Sequence, residues 1–286
     1  TDTRELSQGA LFIALRGERF DAHAFIQQAV DEGASAVVVE QKMECDIPQV
    51  VVSDTRIALG QIARGVKDLC DVKTIAVTGS CGKTTVKELL LSICRLAGNT
   101  LATNGNFNND IGVPLTLLRL EPTIEYAVVE LGANHIGEIA YSVDLVKPDV
   151  ALVNNVSGAH LEGFGSIAGV AQAKGEIYGG LGPEGTAIVN ADCPFVTQWQ
   201  ARLEGLKQLT FGIECENADL TAMYISADGS FGSEFTLVYQ GVNHRVRLNM
   251  PGMHNIANAL AATASALAIG ISIRHVITAL IAGVSV

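Results

Sequence analysis

The segment Thr74-Ile-Ala-Val-Thr-Gly-Ser-Cys-Gly-Lys-Thr-Thr85 constrains this chain more than any other. An apolar strand runs directly into Gly79-x-x-Gly82-Lys83-Thr84 and then into a stretch with helical periodicity. Glycines let a backbone curl so that its N–H groups converge on phosphate oxygens, and the helix that follows turns its positive end to the same point. Lys83 is placed to reach β- and γ-phosphates, and Thr84 to offer a hydroxyl to Mg²⁺. The longer form of this loop begins with a Gly six residues before the Lys; Val77 stands there, so the match is to the shorter G-x-x-G-K-[ST] form. The alternative is a glycine-rich strand-to-helix turn with a chance Lys-Thr. Agreement of strand, loop and helix favours the phosphate loop.

The rest of the chain repeats this alternation. Residues 10–15, 35–40 and 49–53 read as strands, the last two as buried β-branched runs. Residues 22–33, with Asp21 as N-cap, and 55–70 read as helices. A second series follows, with strands at 74–78, 126–131, 150–154 and 186–190 and helices at 83–96 and 167–178. Strands separated by helix-length segments imply βαβ units and a mostly parallel sheet. From about Leu209 to Leu248 the pattern turns to period two, which predicts an antiparallel patch. Two Ala-rich helices, 254–269 and 272–283, follow. The expected fold is α/β: a small N-terminal α/β domain over 1–71, then a P-loop-type ATPase domain with a mostly parallel sheet and an antiparallel patch over 72–286.

Charge limits the partners. Lys and Arg total 19 against 30 Asp and Glu, a net charge of −11, which excludes a broad basic face for nucleic acid. A phosphate site must therefore be local, built from backbone N–H groups and a few cations. No run of ~18 apolar residues appears, so no membrane insertion is expected. Thr1-Asp2-Thr3-Arg4 has no signal-peptide pattern and no Met, so the start reads as cut. The cysteines at 45, 70, 81, 94, 193 and 215 lack C-x-x-C spacing and read as cytosolic thiols.

Other segments carry polar groups where such a sheet gathers ligands. Thr103-Asn-Gly-Asn-Phe-Asn-Asn-Asp-Ile-Gly-Val-Pro114 offers many donors and acceptors, or else is a solvated turn. Glu130 ends an apolar strand at the carboxyl edge of a parallel sheet, where a carboxylate either holds Mg²⁺ or lies on the surface. Asn154-Asn155-Val-Ser-Gly-Ala-His160 follows the next strand; a loop histidine there is a ligand or a packed surface residue. Lys174, in Ala171-Gln-Ala-Lys-Gly-Glu-Ile177, reads on its own as a solvated helix lysine. Asn255 and Asn258 share one face of a helix start, either to cap it or to read a nucleotide.

Together these segments resemble the Mur ligase family, ATP-dependent amino-acid ligases of peptidoglycan-precursor synthesis, over nearly the whole chain. Carrying the resemblance are TGSCGKTT, the Asn-rich loop, the strand ending in Glu130, the loop with His160, A-K-G-E-I and HNIANALAA. Glu130-Leu-Gly-Ala-Asn-His-Ile-Gly-Glu138 and Asn106-Phe-Asn-Asn-Asp-Ile-Gly-Val-Pro114 look like the branch that joins D-alanyl-D-alanine to UDP-N-acetylmuramoyl-tripeptide through an acyl phosphate.

The resemblance implies ATP and Mg²⁺ as cofactors. It implies ATP contacts from Thr78, Gly79, Ser80, Cys81, Gly82, Lys83, Thr84, Thr85, Asn255 and Asn258. It implies Mg²⁺ ligation by Thr84, Glu130, His160 and a carbamylated Lys174, with Lys83, Lys174 and His160 as catalytic residues. The UDP-precursor is expected to meet Thr1, Asp2, Thr3, Arg4, Arg16, Gly17, Asp21 and His23, together with Asn106, Asn108, Asn109, Asn134 and His135. The resemblance further implies a monomer in the bacterial cytoplasm. It also implies a third, amine-binding domain, expected to be absent from this chain, which leaves doubtful whether the chain alone is active. The competing readings are another ligase of the superfamily, of the third-residue-adding or folylpolyglutamate type, and a non-catalytic nucleotide-binding module.

Overall fold

A computed structural model describes residues 1–17, 20–158, 161–229 and 232–283. The chain divides into two compact units, Thr1–Gly65 and Val66–Val286.

The first unit is a three-stranded parallel sheet in the order β1-β2-β3: β1 (Leu11–Ile13), β2 (Ala36–Val39) and β3 (Gln49–Val51). Between β1 and β2 lie a 3₁₀ turn at Ala22–Phe25 and helix α1 (Ile26–Asp31); the Asp21 side chain accepts from the His23 N–H and caps that turn, as expected. Phe12, Ala22, Ile26, Ala29, Val37 and Val39 form the core. One expectation fails. Val50 and Val51 of β3, one of the sheet's two edge strands, are exposed, whereas Phe12 and Ile13 of the other edge strand, β1, are buried. Helix α2 (Thr55–Asp68) follows.

The second unit is built on a nine-stranded sheet. Its parallel part comprises β4 (Lys73–Thr78), β5 (Thr100–Ala102), β6 (Tyr126–Glu130), β7 (Val150–Val153), β8 (Thr186–Asn190) and β9 (Lys207–Phe211). The strands β10 (Leu220–Gly229), β11 (Gly232–Tyr239) and β12 (Val242–Leu248) follow in antiparallel pairs. The α/β expectation holds, with one correction: β9 overlaps the start of the period-two stretch yet pairs in parallel with both β8 and β10.

The helices of this unit are α3 (Lys83–Arg95), α4 (Gly112–Leu117), α5 (Glu138–Val146), α6 (Leu161–Phe164), α7 (Ile167–Gly175), α8 (Gln200–Leu203), α9 (Met253–Ala268) and α10 (Ile273–Ala282). Helix α3 buries Val86, Leu89, Leu90, Ile93 and Cys94, an i, i+3, i+4, i+7, i+8 stripe facing the sheet core. Each fully buried aliphatic side chain of this kind contributes about 1.5–3 kcal/mol. Helix α9 packs on α3 and is buried along most of its length. Its small residues permit that close approach, and the Thr263 and Ser265 hydroxyls donate to the Ala259 and Ala261 carbonyls, so neither enters the core unpaired.

The sheet order β12-β11-β10-β9-β8-β7-β4-β6-β5 places β4 between β6 and β7. The chain leaves β4 toward the β5 edge, returns through β6 and then crosses to β7. The carboxyl end of β4 is thus a switch point, where open α/β sheets form their crevice. No helix of the described residues is long and apolar enough to cross a membrane.

Candidate active site

Strand β4 is apolar and buried from Thr74 to Thr78, and it delivers the chain to the crevice. There Gly79–Gly82 turns the backbone into α3. Gly82 is the N-cap, in the left-handed region at φ 74°, with no side chain capping the helix. The first-turn N–H groups of α3 therefore have no side-chain cap, as an anion-binding helix start requires. A Cβ at Gly82 would lie 2.5 Å from Asn258 Oδ1 and 2.9 Å from Asn154 Nδ2, so only glycine fits. Lys83 Nζ folds over the loop and donates to the Gly79 carbonyl at 2.9 Å.

The loop after β7 braces this turn. Cys81 N–H donates to Asn155 Oδ1 at 2.9 Å, while Asn155 Nδ2 and Asn154 Nδ2 both donate to the Cys81 carbonyl. Ser80 Oγ donates to the Ser157 carbonyl and accepts the Ser157 N–H. Asn154 Nδ2 also donates to Asn258 Oδ1 at 2.8 Å, tying the loop to α9. Asn255 Nδ2 donates to the Pro251 carbonyl. Asn258 is buried and engaged with Asn154, so its amide braces the phosphate loop. Thr78, also expected at the nucleotide, is buried, with its hydroxyl donating to the Leu131 carbonyl.

On the β6 side, Thr84 Oγ1 donates to Glu130 Oε2 at 3.1 Å, and Asn108 Nδ2 donates to Glu130 Oε1 at 2.7 Å. The Glu130 N–H donates to Thr103 Oγ1, and the buried Lys87 donates to the Thr103 carbonyl at 3.0 Å. Thr103, Asn154, Asn155 and Ser157 belong to the two polar segments singled out in the sequence, whereas Lys87 lies outside them. For Asn154 and Asn155 the signal is the pair of amides directly after an apolar strand.

Lys174 is on α7, facing the same crevice rather than solvent, at 3% exposure. Burial, with the charge of Lys83 assisting, lowers its ammonium pKa to about 8. Its Nζ lies 5.7 Å from the centre of the Phe164 ring. The next residue, Gly175, packs on Trp199: a Cβ there would stand 2.2 Å from the indole Cδ1, and the indole N–H donates to the Ala171 carbonyl at 2.8 Å. A cleft of about 220 Å³ is lined by Ser80, Lys83, Asn108, Asn134, Glu138 and Lys174 among others. Burial works to raise the Glu138 pKa, but hydrogen bonds from the Asn134 N–H and His135 hold it below its ordinary value. A larger cleft of about 800 Å³ over Val196–Gln208 contains none of the predicted site residues.

Of the remaining expected residues, Asn106 and Asn109 are exposed, and Asn109 Oδ1 accepts the Gly112 N–H at the start of α4. His135 is exposed and bonds to Glu138. His160 lies outside the described residues. Among the described residues, no cluster of three or more His, Cys, Asp or Glu is arranged to hold a metal.

In the first unit, Thr1, Asp2, Thr3 and Arg4 line a cleft of about 500 Å³ together with Phe12, Phe20 and Phe25. Arg4 donates to both carboxylate oxygens of Asp2, which holds that carboxyl down at about 2. Arg16 bridges Asp21 and Glu40. The buried His23 accepts the Glu40 N–H at Nε2, so its Nδ1 carries the proton toward Asp21 at 2.6 Å. Gly17 sits beside this network, its N–H bonded to the Phe20 carbonyl.

Residues 77–266 match the family model "Mur ligase middle domain", and residues 1–67 match "Mur ligase family, catalytic domain". The chain is 53% identical to the UDP-N-acetylmuramoyl-tripeptide–D-alanyl-D-alanine ligase of Escherichia coli K12, over 94% of this chain and 60% of that protein. It is 49% identical to the enzyme of that name from Haemophilus influenzae, over 96% and 60%. Among solved structures it resembles MurF from Acinetobacter baumannii, with a TM-score of 0.94 and 43% identity over 98% of this chain and 61% of that one. It also resembles MurF ligase from Thermotoga maritima in complex with ADP, with a TM-score of 0.89 and 28% identity over 100% and 65%. The chain thus spans about 60% of the length of the curated relatives it matches.

Proposed function

The chain belongs to the Mur ligase family, and we propose from that premise that it carries the precursor- and nucleotide-binding parts of a cytoplasmic bacterial ligase. The reaction is ATP-dependent addition of D-alanyl-D-alanine to UDP-N-acetylmuramoyl-tripeptide. The protein acts as a monomer. The observation that carries the reading is the convergence of Lys83, Thr84, Glu130 and Lys174 at the carboxyl end of β4 and its neighbours.

The chemistry asks for that convergence. The tripeptide carboxylate attacks the γ-phosphorus of ATP; a P–O bond forms, the bond to ADP breaks, and an acyl phosphate results. The amine of D-alanyl-D-alanine then attacks the acyl carbon, phosphate leaves, and the amine proton passes to solvent. In the first step two anions meet, so the protein's work is to neutralise charge and hold the partners. The Lys83 ammonium, at the mouth of the loop, exchanges its bond to the Gly79 carbonyl for phosphate oxygens. Helix α3 adds its N–H groups. Mg²⁺ takes one or two carboxylates with phosphate oxygens and waters, and the adjacent Thr84 hydroxyl and Glu130 carboxylate are donors of that kind. When bound, the ion supplies neutralisation of the phosphate charge. Asn108 keeps the Glu130 carboxylate aimed at Thr84.

Lys174 serves as a carbamate. With its pKa lowered to about 8, a larger fraction of the amine is neutral near pH 7 than for an exposed lysine. That amine takes up CO₂, forming an N–C bond and releasing a proton, and the resulting anion with His160 would hold a second Mg²⁺. In the first unit, the cleft at Thr1–Arg4 receives the UDP end, and Phe20 and Phe25, stacked at 5.3 Å, present an aromatic wall to it.

Two measurements test the reading. Titration calorimetry of this chain with UDP-N-acetylmuramoyl-tripeptide is expected to show binding that UDP-glucose does not reproduce. In the full-length protein, ADP release is expected to require the tripeptide. Steady ADP release without any carboxylate acceptor overturns the ligase assignment. Lys174→Ala is expected to lose activity and regain part of it with an added short carboxylic acid; full activity without the additive removes the carbamate.

A further inference from the structure

Glu176 lies two residues beyond Lys174, in the 3₁₀ turn Glu176–Gly180 that continues α7. It is a carboxylate at 5% exposure, and the mechanism above does not use it. Its oxygens reach away from Lys174's helix to the start of α5. Oε1 accepts the Gly137 N–H at 2.8 Å, and Oε2 accepts the Ala140 N–H at 3.0 Å and the Gly137 N–H at 3.1 Å. Gly137 is the N-cap of α5 and has no side chain to cap with. Glu176 therefore does from 39 residues away what a capping box does locally: it satisfies both the N-cap N–H and an N–H of the first turn. The anion also sits at the positive end of the helix dipole, where charge-assisted bonds are strongest.

What this bond fastens is specific. The turn leading into α5 carries Asn134 and His135, and Glu138 opens the helix by accepting the Asn134 N–H and bonding to His135. Asn134, Glu138 and Lys174 line one cleft. The backbones that present them are otherwise on separate chain segments. Gly163 closes the far side of the turn, since a Cβ there would stand 2.0 Å from the Asn134 carbonyl oxygen.

We propose that Glu176 is a positioning residue that locks the Asn134–Glu138 turn to the helix end bearing Lys174, fixing the spacing between the precursor-facing and nucleotide-facing walls of the cleft. This rests on the assignment of Asn134 and His135 to the UDP-precursor and of Lys174 to the ATP side. Loss of the anchor frees the turn that carries Asn134 and His135, while the phosphate loop keeps its own braces from Asn155 and Asn154, so the effect falls on precursor binding.

The test compares Glu176→Ala and Glu176→Gln in the full-length protein. Glutamine keeps one acceptor oxygen; alanine keeps none. For Glu176→Ala the KM for UDP-N-acetylmuramoyl-tripeptide is expected to rise about ten-fold or more, with the KM for ATP within about two-fold of wild type. Glu176→Gln is expected to recover most of that loss. Should the alanine variant fail to fold, Glu176→Asp, whose carboxylate is one methylene short of the Gly137 and Ala140 N–H groups, carries the test with the same split. Amide hydrogen exchange supplies a readout independent of turnover: the Gly137 and Ala140 amides are expected to exchange faster in Glu176→Ala while those of Lys83–Arg95 stay protected. Equal rises in both KM values, or unchanged KM values with only a lower melting temperature, overturn the positioning role. If the wild-type protein shows no tripeptide-dependent ADP release, the proposed function fails instead. The exchange arm then decides alone, and unchanged exchange at Gly137 and Ala140 overturns the anchor.

Discussion

The two clefts built from predicted site residues are held in different ways. At the phosphate loop, the bonds that fix the site join distant parts of the chain: Thr84 to Glu130 across 46 positions, Cys81 to Asn155 across 74, Asn154 to Asn258 across 104. In the first unit, Arg4 bonds Asp2 two residues away, Arg16 bonds Asp21 five away, and Asp21 bonds His23 two away. The first kind of site exists only once the sheet has formed, and its side chains are pre-aimed by that sheet. In the second, the Asp2–Arg4 pair is set by neighbours in sequence, while Arg16 and His23 also bond Glu40, 17 positions beyond His23. The difference teaches that the phosphate-loop cleft is sensitive to changes in backbone and packing, while the Asp2–Arg4 pair is sensitive to the side chains it presents.

The sharpest break comes at Lys83. Replacing it with Ala in the full-length protein is expected to lower turnover by on the order of 10³-fold or more, as for other charges that neutralise a transferring phosphoryl group. Circular dichroism should show the fold intact; near-normal turnover would sink the assignment. Next comes a paired substitution at glycines. Gly82→Ala forces a side chain into the left-handed region and against the Asn154 and Asn258 amides, a cost of about 1–3 kcal/mol. Its binding of MgATP, followed by titration, should weaken at least ten-fold. Gly17→Ala in the first unit meets nothing nearer than the Phe20 carbonyl at 3.8 Å and should leave the unfolding midpoint unchanged. Similar behaviour of the two variants would erase the contrast.

A third measurement uses proton linkage. The Lys174 ammonium has a folded-state pKa of about 8, below the ordinary 10.5, so the unfolded chain binds more protons between those values. In bicarbonate-free buffer, where Lys174 stays an amine, stability attributable to this residue therefore rises as pH climbs from about 8 to 10.5, by roughly 3 kcal/mol. Lys174→Met removes that slope and is expected to be more stable than wild type at pH 7. Urea midpoints of the two proteins at pH 7 and pH 10 check it, and a constant difference across that range contradicts the burial argument. The smallest effect is expected at Asp2. Its partner is Arg4 on the surface of the same turn, so Asp2→Asn should leave the thermal midpoint where it was. A drop of several degrees would show that the segment is structurally integrated after all.

How far the sequence is legible follows the same division. Strands β4, β6, β7 and β8 are continuous apolar runs, and helix α3 has a clear 3.6-residue stripe, so period and motif located them within a residue or two. Strand β5 and helix α4 are too short to show a period, and helix α5 spans only nine residues with a buried serine in its apolar stripe. Strand β9 marks the limit of the period-two signal, which reports a half-exposed strand and not the direction of its neighbour. In the site, Lys83, Thr84 and Glu130 stand where the motif and the strand end put them. Lys174 was unreadable by composition, because burial of a helix lysine depends on what packs around it. Glu176 is legible only as part of the A-K-G-E-I run; its capping role is not, since its partners are main-chain N–H groups of a distant helix. Asn258 was legible as an amide at a helix start, but its bond to Asn154 depends on the order of strands.

The contact between Gly175 and Trp199 has a consequence for how this protein can vary. The indole fills the volume that any side chain at position 175 would need and holds the Ala171 carbonyl one helical turn earlier. Gly175 cannot be enlarged alone without pushing α7 and the lysine it carries, and a smaller residue alone at 199 leaves a void and takes the indole N–H from the Ala171 carbonyl. Across relatives, the two positions should drift as a pair, with any larger residue at 175 accompanied by a smaller one at 199, and a lineage that loses the glycine while keeping the tryptophan should show a displaced helix.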